Sequence, residues 1–216
     1  MKFLFPRNFT FHLLVASVVL LGSAGCLLKQ PPAKTVSFGF APEIIRKPIP
    51  NNQRILAVRL FEAAPTCEQS EFSYRLSEVT WESDYYHTFS QPPAALLTYK
   101  ARQWLSGSGL FQSVAIPGLA PSGCWNLQGF LTRLYGDFSN PSKPEAVISM
   151  RFSFFSPNAE AASKPLFNRA YEARIPFSSR TPSALMEGWD RGVEQIFRRM
   201  TEDVRQSLPP VTKTAG

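Results

Sequence analysis

The chain has 216 residues, 44% of them hydrophobic and 13% aromatic, with a formal charge of +7. That hydrophobic content excludes an intrinsically disordered protein, and the aromatic content favours a sheet-rich chain of single-domain size. The basic residues are scattered, adjacent only at Arg46-Lys47 and Arg198-Arg199, so the basic stripe that a nucleic-acid interface needs is missing.

Residues 1–25 read as a signal peptide. Lys2 and Arg7 form a positive region, Leu13 to Leu21 is an apolar run of nine residues, and Gly22-Ser23-Ala24-Gly25 supplies small residues for a peptidase. Nine helical residues are too short for ~30 Å of hydrocarbon, so an export signal is favoured over a membrane span. Removing the leader leaves 21 basic against 16 acidic residues, or +5, a mildly basic surface that suits anionic headgroups. Ala24-Gly25-Cys26 resembles the bacterial lipobox, in which the cysteine is acylated and becomes the first residue; two or more acyl chains give stable anchoring. The alternative is ordinary cleavage after Ala24. Leu27 follows the cysteine where an aspartate would resemble an inner-membrane retention signal, which favours the periplasmic face of the outer membrane.

Residues 26–34 form the lipidated terminus and a tether stiffened by Pro31-Pro32. The domain is expected over 35–208. Val36, Phe38 and Phe40 alternate with small residues in a first strand, and Arg54 to Phe61 is a second. Phe72, Tyr74 and Leu76 alternate with polar residues, and Val79 to His87 continues the pattern as a paired strand. Pro92-Pro93 suits only the first turn of a helix; Leu97, Ala101, Trp104 and Leu105 then make its buried stripe. Gly107 and Gly109 end it, and Leu110 to Ile116 restarts an extended run.

Trp125 to Tyr135 and Ala146 to Phe155 form a long hairpin, followed by a third strand from Phe167 to Phe177. Thr181-Pro182 is an N-cap before a helix ending near Ser207, with an apolar stripe from Leu185 to Val204. Gly188 and Gly192 on that helix favour close packing on the sheet over dimerisation. Residues 209–216 read as a disordered tail. The fold class is therefore α+β: one domain with a mainly antiparallel, twisted sheet and both amphipathic helices on one face.

With Cys26 assigned to the lipid, Cys67 and Cys124 remain in an oxidising compartment, and a bridge between them is expected. It would stabilise by roughly 4 kcal/mol in the chain-entropy picture; two unpaired thiols are the alternative. One histidine, His87, lies outside the leader, so neither a metal site nor a histidine-dependent triad is expected. The sequence has no Walker lysine after Gly107-Ser108-Gly109 and no Gly-x-Ser-x-Gly elbow. Glu82 and Asp84, two apart on a strand, read as a solvated edge. No cofactor is implied and the protein reads as a non-enzyme. Tyr74, Arg75, Asp84, Tyr85 and Tyr86 carry the residue types enriched at binding hot spots, which makes this hairpin the expected partner-facing element.

The order of these pieces resembles the ABC-type transport auxiliary lipoprotein family, the group that includes the paraquat-inducible protein C type. The matching residues are Ala24-Gly25-Cys26, Ser37 to Pro42, Tyr74-Arg75, Asp84-Tyr85-Tyr86 with Phe89, Pro92 or Pro93, Trp104-Leu105, and Ser108 to Phe111 with Val114. The resemblance implies a non-catalytic accessory of an MCE-type system moving phospholipids or other hydrophobic molecules between envelope membranes. Its implied partners are an MCE-domain protein and an ABC permease and ATPase; a homo-oligomer is compatible. Two other readings are a structural lipoprotein assisting assembly of an outer-membrane or envelope-spanning complex and, more distantly, a periplasmic hydrolase dependent on His87.

Overall fold

The computed structural model describes residues 34–41, 53–116, 118–157 and 164–210. The signal peptide, Cys26, the Pro31-Pro32 tether and residues 211–216 of the tail lie outside them. Residues from Thr35 onward form one compact unit. No helix among the described residues is long and apolar enough to cross a membrane.

The domain is built around one strand. β7 (Trp125–Asp137) pairs antiparallel along its length with β8 (Glu145–Phe155), which pairs antiparallel with β9 (Phe167–Pro176). The opposite edge of β7 is shared in succession by three short strands running parallel to it. β2 (Ile55–Val58) meets Trp125 to Leu127, β3 (Glu62–Ala63) meets Phe130 and Leu131, and β4 (Glu71–Arg75) meets Gly136 and Asp137. Beyond β2 lies β6 (Ser113–Ala115); beyond β4 lie β5 (Trp81–Phe89) and then β1 (Val36–Phe38). The sheet is mixed: three ladders are antiparallel, including both long ones, and five short ones are parallel. Alternation within a strand sets which face it buries but not its direction. The parallel pairs arise because the chain reaches β7 through β5, a helix and β6, a crossover instead of a hairpin.

The expected strand over 54–61 breaks after Val58. The Phe61 amide leaves the ladder and donates to Thr98 Oγ1 at 2.8 Å. The Phe61 ring then lies over Gly129, where a Cβ would sit 2.6 Å from it. The break lets one stretch supply two strands to one edge.

Both helices pack on one face of the sheet. α1 (Pro93–Gly107) ends in Gly109, whose φ of 74° is left-handed. α2 (Pro182–Ser207) is capped by the Thr181 side chain, which accepts from the Ala184 amide at 3.2 Å. Leu185, Trp189, Val193, Ile196, Phe197, Met200 and Val204 are buried along one side of α2, each gaining about 2 kcal/mol from lost apolar exposure. Gly188 and Gly192 bring α2 down onto Ala146 and Ile148 of β8 and Ala173 of β9, so the glycine pair packs the helix on its own sheet. Trp189 Nε1 donates to the carbonyls of Tyr135 and Val147, both at 3.2 Å. Phe72 and Phe89 pack on the Trp189 ring with centroids 4.9 and 5.5 Å away.

The helices are joined by Trp104 Nε1, which donates to Thr201 Oγ1 at 2.9 Å. They are joined again by the Lys100 ammonium, which is buried and donates to Asp190 Oδ1 and to the carbonyl of Ala41.

Candidate functional site

Two irregularities shape the helix-free face. In β7 the register against β8 shifts between Leu131 and Arg133, leaving Thr132 as a bulge; its Oγ1 donates to the Ser149 carbonyl at 2.9 Å. Between β4 and β5 the pairing jumps from Glu71↔Thr88 to Phe72↔Asp84. Tyr85, Tyr86 and His87 therefore have no partner on β4, and His87 pairs with β1 instead.

Asp84 closes this second bulge. Its Oδ1 accepts the amides of Tyr86 at 2.9 Å and His87 at 3.1 Å, while Oδ2 accepts the Tyr74 hydroxyl at 2.6 Å and lies 2.7 Å from His87 Nδ1. Burial alone would raise the Asp84 pKa; the donors from Tyr74, Tyr86 and His87 outweigh it and hold the carboxyl below its usual range. Burial, together with the same carboxylate, pushes the Tyr74 hydroxyl far up. An ionised Asp84 requires Nδ1 of His87 to donate. All four of these hydrogen bonds hold backbone and rings in place, and the Tyr74 ring is further fixed edge-on to Phe138 at 5.6 Å.

The five residues expected to face a partner thus divide by strand alternation. Tyr74 and Asp84 brace the hairpin from the helix side. Tyr85 is 76% exposed and Tyr86 55% exposed on the bulge they hold open. Arg75 turns to the other face, where it donates to Asp137 Oδ2 at 3.4 Å and to the Ser77 carbonyl at 3.1 Å.

That other face carries a groove of about 880 Å³. One wall is β5, with Trp81, Ser83 and Tyr85; the floor is Ser73 and Arg75 of β4 with Arg133 and Tyr135 of β7; the 3-10 turn Pro65–Cys67 forms the far side. Trp81 stands edge-on to Tyr135 at 4.9 Å and stays 51% exposed. Along the floor, Asp137 is buried between Arg75 and Arg174 at 3.4 and 3.6 Å. Burial would raise its pKa, but the hydroxyl and amide of Ser139 and the two guanidinium groups lower it on balance. Arg174 also meets Glu172 and Glu145, and Arg133 meets Glu172 at 3.2 Å.

Trp81, Arg133, Tyr135 and Arg174 were not among the residues expected at the site. Trp81 shares the period of Arg75 and Tyr85 and could have been found by alternation. The arginines on β7 and β9 reach the groove only through strand order, which periodicity does not carry.

The bridge expected between Cys67 and Cys124 is absent; both are free thiols. Cys67 sits beside Leu134, whose backbone amide donates to its sulfur. Cys124 precedes the first residue of β7, ten residues from Leu134, or about 30 Å along a strand. A disulfide needs Cα atoms within about 7 Å. Burial raises the Cys67 thiol pKa, partly offset by Thr66 and Leu134. Among the described residues no group of three or more His, Cys, Asp or Glu side chains is placed to hold a metal ion.

No family model matches the sequence, and no curated protein is similar to it in sequence. Solved structures are similar in fold. Protein XCC0632 from Xanthomonas campestris, of the DUF330 family, superposes with a TM-score of 0.66 at 15% identity, over 79% of this chain and 98% of that one. An uncharacterised protein matches with a TM-score of 0.62 at 13% identity, over 79% and 99% of the two chains. A looser likeness, with a TM-score of 0.46 at 9% identity, is to the hypothetical protein CT253 from Chlamydia trachomatis, over 72% and 98%. The two closer likenesses define a shared α+β architecture.

Proposed function

We propose that this chain is a lipid-anchored, non-catalytic accessory of an MCE-type ABC transport system, acylated at Cys26 and held at the periplasmic face of the outer membrane. The observation that carries this reading is where the family-like residues fall. Tyr74 and Asp84 brace the bulge that displays Tyr85 and Tyr86; Trp104 ties α1 to α2; Ser108 to Phe111 turn the chain from α1 towards β6. They build one scaffold and one exposed edge. Docking suits that arrangement better than chemistry does, because the lone His87 and its carboxylate are committed to holding the bulge.

Crosslinking from Tyr85 in the native envelope, followed by identification of the captured proteins, tests the reading. An MCE-domain protein or its permease is the expected product. Capture of a β-barrel or its assembly factors supports the assembly reading in its place, and substrate turnover by the isolated protein overturns both. The anchor has its own test: Cys26→Ala should cease to partition into detergent.

A further inference from the structure

The hairpin of β4 and β5 ends in an exposed turn. The Leu76 and Ser77 amides donate to the Thr80 carbonyl at 2.9 and 3.3 Å, and Ser77 Oγ accepts the amides of Val79 and Thr80 at 3.3 and 3.0 Å. This bonding holds Val79 at the apex, 89% exposed. Trp81 lies on the groove side of the hairpin and Leu76 on the side of the α2 start; both are exposed, so the tip is apolar on two faces. Ladder register fixes what stands at the same end of the sheet. Arg75 pairs with Asp137, Asp137 with Glu145 and Glu145 with Pro176, which puts the loops after β7 and β9 beside the tip. Those loops carry Lys143 and Arg180, and the tip carries Glu78 and Glu82. All four are exposed, and none has an ion-pair partner among the described residues.

We propose that this tip docks the domain on a bilayer surface of zwitterionic lipid. Val79 enters the acyl region, Leu76 and Trp81 sit at the level of the glycerol groups, and the four charges stay among the headgroups. Tryptophan favours that depth because its ring is apolar and its N–H polar. Two carboxylates and two cations around an apolar apex suit headgroups that carry both signs, and an anionic surface would oppose the glutamates. The start of β1 points to a bilayer as the occupant. β1 runs parallel to β5 with Val36 opposite His87, so its first residue faces the tip end of the sheet. From His87 back to Trp81 is six residues, about 20 Å of strand. From Val36 back to Cys26 is ten, about 31 Å in an extended polyproline form. A chain anchored at Cys26 therefore has the reach to set its tip on the same bilayer. Tyr85 and Tyr86, farther along β5, stay clear of the lipid for a protein partner. The docking rests on the anchor reading for its membrane and on the tip alone for the contact.

Trp81 reports the contact, since Trp104, Trp125 and Trp189 are all buried. The mature chain is reconstituted in phosphatidylcholine vesicles whose acyl chains carry bromine, which quenches tryptophan emission on contact. Emission should fall, more with bromine near the head of the chains than near their ends, and the fall should vanish in Trp81→Phe. Val79→Asp should abolish it and Val79→Leu should keep it. At so exposed a position neither change should alter the fold, as circular dichroism would check. Short-chain brominated phosphatidylcholine below its micelle concentration should leave the emission unmoved. No quenching in vesicles overturns the docking, and so does unchanged quenching in Val79→Asp. Quenching by the dispersed short-chain lipid overturns it in favour of a pocket-bound molecule, and a larger fall in phosphatidylglycerol vesicles overturns the zwitterionic surface. Cys26→Ser lacks the acyl chains in any case; in excess vesicles it should show the same depth dependence. A missing anchor, read by mass spectrometry of Cys26, is thus told apart from a missing tip contact, and neither result touches the partner crosslinks.

Discussion

The Tyr74 hydroxyl donates to Asp84 Oδ2 at 2.6 Å across the β4–β5 ladder, and that carboxylate also receives two successive backbone amides, those of Tyr86 and His87. A single acidic side chain therefore sets the shape of the bulge that displays Tyr85 and Tyr86. Replacing it by alanine strands a half-buried phenol and frees the bulge to refold into regular ladder. Asp84→Ala should destabilise by about 2 kcal/mol, the scale of hydrogen bonds to a charged acceptor, and should reduce crosslinking from Tyr85. Urea unfolding and envelope crosslinking on the same variant check both halves.

Acid should weaken the fold through two carboxylates. Asp84 and Asp137 both titrate below the ordinary carboxylate range in the folded protein. The unfolded chain then binds more protons at low pH, so their contribution is fully present above about pH 4, the ordinary aspartate value. It is lost as pH falls through the lowered folded values. Denaturation midpoints measured from about pH 6 down to pH 2 should drop in the acid limb, and an Asp84→Asn, Asp137→Asn double variant should flatten that limb while lowering stability near neutrality.

The descent of α2 onto the sheet predicts asymmetric tolerance along that helix. A Cβ at Gly188 would lie 2.6 Å from the Ala146 Cβ, and one at Gly192 would lie 2.8 Å from Ile148 Cγ2. Gly188→Ala and Gly192→Ala should each cost about 1–3 kcal/mol by overpacking, against the usual gain from removing a helical glycine. Thermal melts that rise in either variant would contradict the close contact.

Lys100 and Asp190 predict a difference between breaking a pair and replacing it. The lysine ammonium is the more deeply buried partner. Asp190→Ala leaves it with the Ala41 carbonyl and should cost about 3 kcal/mol. Lys100→Met combined with Asp190→Leu removes both charges and keeps apolar volume, so the double variant should be nearly neutral. Equilibrium unfolding of the two variants separates the outcomes.

Much of the fold could be read from alternation and helical period, because each reports which side of an element is buried. The long hairpin of β7 and β8, β9 behind it, the capped start of α2 at Thr181 and the glycine exit from α1 all follow from residues near in sequence. The short parallel strands were not legible in the same way. Nothing local in Arg54 to Phe61 announces that Thr98, far along the chain, captures the Phe61 amide and divides the run into β2 and β3. The bulges at Thr132 and Asp84 are likewise decided by pairing.

The site divides along the same line. Tyr74, Asp84, Tyr85 and Tyr86 stand close enough in sequence to be suspected together, although their roles separate into braces and displayed rings. Arg133 and Arg174 come to the groove from strands that only the topology makes neighbours. The expected disulfide failed for a related reason: turn signals beside Cys67 and Cys124 marked two strand ends, but they lie at different heights along β7.

The way β7 gathers strands also bears on the order in which the domain can mature. During synthesis β3 has no ladder of its own until Phe130 and Leu131 arrive, and β2 must wait for β6 and β7. β2 and β3 therefore emerge as unpaired extended segments, held in reserve until the spine appears, whereas β1, β4 and β5 can pair among themselves. Assembly dominated by such distant pairings is slow, and the interval is one in which an unfolded chain meets proteases and chaperones. Truncations ending before Asp137 should accordingly leave no stable fragment to recover.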